Sequence, residues 1–441
     1  MAHVPALIHS CSMLAFLGLP GASRQEAWTQ EALERVSAEI SRDIERLRGK
    51  RFLRPVTMRI TDKAGFLAHA KERMDSMVPP EQLAGNELMA KMLDLIPPDL
   101  DLMQTTLDVL QDQVGGFYVP EEDAFYIMES FVGGAARIIL AHALTHALDD
   151  QLFDIDDDMR ARATESDAGL AYSAVVEGSG TLAMNRYTVE NIEALDAKAL
   201  MQASSMGADA LRDAPAFIWL PLISAYLRGS TFLVHSGSSM AEVGQDATLE
   251  DLERAFTQPP LSSEQILHPE KYWSAEERDD PRTVQFDTSG LPDSWQVSYE
   301  DTLGELLLAI LTTPYSERRG FDASNPLAVL GFNYTNACAE GWGGDRLIIL
   351  SSENARFLEL VTVWDTARDA AEFFGALSML LPDIEVNLGE LGKLMGGGKA
   401  QAQFEYGPTE RQVVLSLAVG VSVSKLKKLR EALSHSVLDS R

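Results

Sequence analysis

Apolar residues recur every three to five positions at Trp28, Leu33, Val36, Ile40, Ile44 and Leu47, which predicts an amphipathic helix. Val56 to Thr61 alternates and predicts a strand. Helical patterns follow, broken at Pro79-Pro80 and Pro97-Pro98. Two apolar runs, Val114 to Val119 and Ala124 to Met128, flank Pro120-Glu121-Glu122-Asp123 and read as a hairpin. Gly133 to Gln151 reads as a buried helix. Ser166 to Tyr187 reads as a second, weakened by Gly178 and Gly180. Leu200 to Phe256 is mostly helical in pattern, and Thr257 to Ser294, rich in Pro, Ser and charge, reads as an extended excursion. From about Val297 the texture changes. Strands are expected at Asp345 to Leu350, Arg356 to Val363 and Gln401 to Tyr406, and helices at Thr366 to Leu381 and Ser422 to His435.

This pattern divides the chain into a leader-like segment (1–25), a main unit (26–290) and a C-terminal α/β unit (291–441). No internal repeat is visible. The composition, 46% hydrophobic and 23% charged over 441 residues, is that of a globular protein. Its 37 basic against 66 acidic residues give a net charge of −29, which excludes nucleic acid or anionic lipid as a partner of the overall field. No apolar run reaches about 18 residues, so no membrane-spanning helix is expected. Two cysteines, Cys11 and Cys338, exclude a disulfide framework and a zinc site built from cysteine alone. Met13 to Leu19, followed by Pro20-Gly21-Ala22-Ser23, resembles the core and cleavage region of an export signal, with a mature chain starting near Arg24. Met1 to Ser12 lacks Lys and Arg, so a retained N-terminal segment is the alternative, and with it a cytoplasmic location. Gly396-Gly397-Gly398-Lys399 is not a phosphate loop, because Ala400 replaces the Ser/Thr and the earlier Gly is missing.

The chemistry concentrates in Ala141-His142-Ala143-Leu144-Thr145-His146-Ala147-Leu148-Asp149-Asp150-Gln151. On a helix, His142 and His146 project from one face, one turn apart, and can supply two nitrogen donors to a tetrahedral Zn²⁺. That spacing alone equally describes two core histidines. Glu177, in the apolar stretch Ala174 to Gly180, offers a third ligand, since a carboxylate there is costly to bury unless paired or metal-bound. Two His and one Glu with an open fourth position is the donor set of a catalytic zinc site.

The chain resembles a bacterial and archaeal family of gluzincin metallopeptidase-like proteins. That family carries His-Glu-x-x-His-Ala-Leu-x-Asp-Gln on one helix and Glu-Gly-small-Ala on the next. Gly116-Phe117-Tyr118-Val119-Pro120 resembles its hairpin. Pro259-Pro260-Leu261-Ser262-Ser263-Glu264-Gln265-Ile266-Leu267-His268-Pro269-Glu270-Lys271-Tyr272 resembles its Pro-Pro-x-Ser-Thr-Glu-Gln-x-x-His-Pro-x-Lys-Tyr stretch. Gly341-Trp342-Gly343-Gly344-Asp345-Arg346 and Trp364-Asp365-Thr366 are similar to its C-terminal signatures, so the likeness runs over about residues 30 to 380. It implies an α+β fold: a mostly helical zincin-like unit with a small sheet and hairpin, completed by the C-terminal α/β unit. It also implies zinc held by His142, His146 and Glu177, and a peptide or protein substrate.

One position departs from the family. Ala143 stands where the family has the glutamate that moves a proton from water to the leaving amine. The expectation is therefore a metallopeptidase-like protein inactive as written. Either the alanine is an inactivating replacement, or the chain is a natural, non-catalytic zinc-binding pseudo-peptidase that captures peptides or a protein partner. His268 and Tyr272 are candidates to stabilise a developing oxyanion. Asp167 is a candidate to orient a ligating histidine, and Asp149 and Asp150 are candidates for the surroundings of the ligands or for the surface. Phe117, Tyr118, Phe125 and Tyr126 are candidates to line an edge strand that accepts an extended peptide, with ordinary hairpin packing as the alternative. Trp342, Asp345, Arg346, Trp364 and Asp365 are expected to be architectural.

Overall fold

The computed structural model describes residues 11–13, 28–119, 122–193, 195, 211, 213–235, 246–314, 317–318, 332–396 and 399–438. Strand β1 (Cys11–Met13) is followed by α1 (Gln30–Arg48), β2 (Thr57–Thr61), α2 (Lys63–Met77), α3 (Pro80–Met92) and α4 (Leu102–Gln113). The hairpin β3 (Val114–Val119) and β4 (Ala124–Met128) leads into α5 (Gly133–Phe153), α6 (Ile155–Ala161) and α7 (Ser166–Glu190). Next come α8 (Ala216–Leu233), α9 (Leu249–Thr257) and two short helices, α10 (Ser263–Leu267) and α11 (Glu270–Trp273). The chain then runs through β5 (Thr283–Asp287), β6 (Gln296–Asp301), α12 (Gly304–Thr312), β7 (Trp342–Ser352) and β8 (Ala355–Trp364). It ends in α13 (Ala367–Leu394), β9 (Ala400–Tyr406), β10 (Gln412–Val419), α14 (Val423–Ala432) and β11 (Ser434–Leu438). The fold is α+β, with three small sheets among many helices.

The first sheet has the order β1-β3-β4-β2, with β2 parallel to β4 and the other pairs antiparallel. The second, β6-β7-β8-β10-β9, is antiparallel throughout, and β11 pairs with β5 in the third. Thr257 to Ser294 is not one extended excursion, because α10, α11 and β5 lie within it. The helix expected to run to His435 stops at Ala432, and His435 instead pairs with Phe286 across β11 and β5. Of the helical region from Leu200 to Phe256, α8 and α9 are described and much of the remainder lies outside the described residues. So does the leader-like segment except for β1, and so do Gly397 and Gly398.

Helix α5 is buried on all sides, every residue from Ile138 to Gln151 included, as a helix without a polar face must be. It packs on the first sheet, on α1 and on α7. Helices α7 and α8 approach backbone to backbone. A Cβ on Gly229 would sit 1.9 Å from the Ala174 carbonyl oxygen, and one on Gly178 would sit 2.3 Å from the Gly229 carbonyl carbon. The main apolar core extends from Leu33 to Val419 and so runs across residue 290. Helix α8 is the one described helix long and apolar enough to cross a membrane, but 83% of it is buried inside the molecule, which makes it a core helix.

Three helix starts meet beneath this core, each held by an aspartate from elsewhere. Asp301 accepts from the Ser166 N–H (2.8 Å) and hydroxyl at the start of α7, and from Tyr299 Oη (2.6 Å). Asp345 accepts from the Leu303 and Gly304 N–H groups at the start of α12, both at 2.8 Å, and from Trp342 Nε1. Asp167 accepts from the Ser263 N–H at the start of α10 (2.8 Å). Gly304 has φ +73°, and a Cβ there would collide with the Asp167 carboxylate. These bonds supply orphan helix-end donors and fix where α7 begins.

Candidate metal centre

Helix α5 carries His142 and His146 on one face, and α7 brings Glu177 against them. His142 Nε2 lies 2.8 Å from His146 Nε2 and 3.1 Å from Glu177 Oε2, and His146 Nε2 lies 3.3 Å from the same oxygen. A tetrahedral ion with bonds of about 2.0–2.1 Å separates its ligand atoms by about 3.3–3.4 Å. The three atoms therefore stand at the corners of one face of such a site, drawn slightly inward. All three side chains are essentially buried. Glu177 Oε1 is buried with no hydrogen-bond partner among the described residues, a costly condition for a carboxylate that has no further ligand to serve.

The protonation states suit a cation. Burial, and then the neighbouring His146, push the His142 imidazole below its ordinary range and favour the neutral ring. Burial alone would raise Glu177, but His146 and His142 outweigh it and hold the carboxyl down at about 2. A neutral imidazole beside an ionised carboxylate is the form that binds metal. Gly180 makes room for it: a Cβ there would meet His142 Cε1 at 2.7 Å and His146 Cε1 at 2.8 Å. Tyr226 of α8 stacks on His142, with ring centroids 5.7 Å apart.

Outside the ligands, Asp149 accepts from the Ser179 hydroxyl and from Arg48 (3.2 Å), while Arg48 also donates to the Ser179 carbonyl (3.0 Å). This buried knot ties α1, α5 and α7 together one turn beyond His146. Asp150 accepts from the Asp156 N–H, and burial raises its carboxyl to about 6. Neither aspartate is on the surface.

The other sequence candidates divide. Ala143 is buried within the main core on the ligand-bearing helix. His268 Nε2 bonds Glu305 Oε1 at 3.0 Å. Burial would lower this imidazole, but the Glu305 carboxylate overrides it and raises it. Tyr272 is committed elsewhere: its hydroxyl donates to the Gln258 carbonyl (2.7 Å), and its ring packs between Phe232 and Trp273. Its one hydroxyl proton is already used, which removes the reason for casting it as an oxyanion donor. Asp167 does not orient a histidine. It lies ten residues before Glu177 on α7, about 15 Å along the axis, and binds the start of α10. Phe125 and Tyr126 sit on β4, an inner strand and not an edge. Phe117 and Tyr118 sit on β3, whose outer side is taken by β1.

A second group of carboxylates comes within ligand reach, formed by Glu264, Asp279 and Asp365. The Lys271 ammonium sits among them, bonded to Glu264 and lying 3.0 Å from Asp279 and 3.3 Å from Asp365. Arg48, Ser179 and Tyr226 carry no signal in the sequence pattern that marks them for the site. Glu305 does carry one, as the single charge in Gly304-Glu305-Leu306-Leu307-Leu308.

Comparison with known proteins bears on the C-terminal part alone. A family profile described as Domain of unknown function (DUF8575) matches residues 294–426, which include β7 to β10 and none of the triad. No curated protein matches the chain. No solved structure matches it.

Proposed function

We propose that this chain is a zinc-binding protein of the gluzincin peptidase type that has lost its proton-carrying carboxylate. The observation that carries this reading is the convergence of His142, His146 and Glu177 to within 3.3 Å of one another, with Glu177 Oε1 left unpartnered. Zinc held by these residues supplies Lewis-acid polarisation of a carbonyl and lowers the pKa of a water. The remaining steps fall to the chain's own residues. Glu177 stays ionised and the His142 imidazole is pushed toward its neutral form, so these donors do not depend on position 143. The Ala143 methyl can neither take a proton from water nor give one to a leaving amine. His268, fixed through Nε2 by Glu305, is the side chain offered for a developing oxyanion. The substrate class is a peptide or protein.

The test compares the chain as written with its Ala143→Glu form, both zinc-loaded, on casein and a mixed peptide digest with a chelator control. The glutamate form is expected to gain roughly 10²–10⁴ in turnover. Equal cleavage by both forms would show that the proton shuttle is assigned to the wrong position.

A second reading is a zinc-stabilised binding protein without catalysis. It is favoured by the packing of Ala143, whose methyl is buried among core residues of α5. If neither form cleaves any peptide in a broad library, this reading replaces the first.

A further inference from the structure

The five-stranded sheet ends in β6 on one side and β9 on the other. Strand β6 lies against α3, but among the described residues no strand pairs with the outer side of β9. The direction of each β9 backbone group follows from the two ends of its ladder with β10. The Lys399 carbonyl accepts from the Gly420 N–H (3.1 Å), and the Gly407 N–H donates to the Gln412 carbonyl (2.9 Å). Antiparallel ladders alternate, so Lys399, Gln401, Gln403 and Glu405 turn their N–H and C=O groups toward β10. Ala400, Ala402, Phe404 and Tyr406 turn theirs outward. Such an edge is a template for another strand, and proteins ordinarily blunt it with charge, proline or a bulge. Ala400-Gln401-Ala402-Gln403-Phe404 has none of the three.

Helix α13 overhangs this edge. Its inner flank is fixed by Asn387, which donates to the Lys91 carbonyl of α3 (2.5 Å). Its outer flank is fixed by Phe374, whose ring centroid lies 4.6 Å from that of Phe404 and 4.4 Å from that of Tyr406. Beyond Phe374, toward solvent, the turn of the helix presents Ser378, Pro382, Gly375 and Val386. All four are exposed and uncharged, and Val386 is 68% exposed. Open space surrounds the positions a Cβ would take on Gly375 and Gly389. Glu385 and Lys393 are the charges on this flank, both in its C-terminal half. On a chain of net charge −29, so weakly charged a face beside an uncharged strand edge is an exception.

We infer that β9 pairs with β9 of a second copy of this chain across a two-fold axis, joining the two sheets into one, with the two α13 helices antiparallel on the same face. A strand paired antiparallel with itself forms an isologous contact, so one edge serves both copies. Charge selects the register. Centred on Ala402, the pairing sets Ala402 opposite itself and Ala400 opposite Phe404, each pair exchanging outward N–H and C=O groups. Lys399 then stands opposite Glu405 of the second copy, and the reverse, at the closer, non-hydrogen-bonded positions where opposite charges attract best. From Glu405 to Ala402 the strand advances about 10 Å, the rise of about seven helical residues. The axis therefore passes α13 near Pro382, and Gly375 meets Gly389 of the second copy. The 28 residues of α13 make a contact about 42 Å long, and a helix layer on a sheet layer makes it about 20 Å deep. That is roughly 800 Å² per copy, the size of a standard interface.

The test is the mass of the full chain in solution, by light scattering after gel filtration. At about 50 μM, above the weakest Kd expected of a standard interface, it should be twice 48.4 kDa. Ala402→Pro removes an N–H that points away from β10, a place where an edge strand tolerates proline, and should weaken the dimer at least about tenfold. Lys399→Glu sets like charges opposite each other and should weaken it by about tenfold. Lys399→Glu combined with Glu405→Lys should return the affinity to within about threefold of the unaltered chain. Far-UV circular dichroism checks that each variant is folded, and if the proline variant is not, the charge exchange decides alone. A chain that stays monomeric at this concentration overturns the proposal. So does a dimer indifferent to Ala402→Pro, and so does a charge exchange that fails to restore what Lys399→Glu removed. None of these readouts involves zinc, a peptide or position 143, so the result stands apart from the peptidase-like reading.

Discussion

Two groups of three ligand-capable side chains occur among the described residues, and only one of them encloses a cation. In the cage of Glu264, Asp279 and Asp365, the Lys271 ammonium reaches all three carboxylates. In the triad of His142, His146 and Glu177 the three ligand atoms face one another. The cage joins α10, the loop after α11 and the end of β8, so its lysine is a strut between distant segments. The triad joins only α5 and α7, which already pack together. Proximity of acidic groups therefore does not identify an ion site; the identity of the group at its centre does.

The largest expected difference is in metal content. Purified chain should carry about one zinc, His146→Ala should carry almost none, and Glu264→Gln should carry as much as the unaltered chain. Elemental analysis of the three proteins decides it, and equal zinc in the first two would remove the distinction between the sites. Next in size is stability. Lys271→Met removes the ammonium that bonds the buried Glu264 side chain together with Asp279 and Asp365 and should cost about 3 kcal/mol. Denaturant unfolding of metal-free protein measures this. A loss below about 1 kcal/mol would class the cage with ordinary surface pairs.

The smallest effect is in pH dependence, and its sign is opposite at the two sites. Glu177 is held at about 2, below its ordinary 4.5, so its contribution is complete above pH 4.5 and is lost as pH falls toward 2. Burial raises Glu264 to about 9 despite Lys271, so its contribution is present below 4.5 and is lost as pH rises toward 9. In metal-free protein, Glu177→Gln should flatten the acid limb of the stability profile and Glu264→Gln the alkaline limb. The same change of slope in both variants would mean that the two sites are coupled.

The contrast also shows which features a sequence makes legible. The hairpin, α5, α7 and three C-terminal strands follow from local periodicity and appear within a few residues of their expected bounds. Strand β10 escapes the pattern because Val413-Val414-Leu415-Ser416-Leu417-Ala418-Val419, buried from both faces, has no alternation to detect. Strand β11 carries a helical pattern and is a strand only through its partner β5, about 150 residues away. Helix α13 continues through Pro382, since Leu377, Leu380, Ile384 and Leu388 keep one buried face across it. At the site, spacing reveals His142 and His146, and the anomaly of a carboxylate in an apolar run reveals Glu177. Arg48 and Ser179 give no such signal, because their bond spans 131 positions.

The node where α7, α10 and α12 begin has a genetic consequence. Asp301, Asp345 and Asp167 each serve the backbone of a segment other than their own, and Ser263 both donates its N–H to Asp167 and accepts from the Leu306 N–H. The first replacement made there would already unsettle several helix starts, and a second would find little left to disturb. Substitutions at these scattered positions should therefore be strongly epistatic and behave as alleles of a single locus.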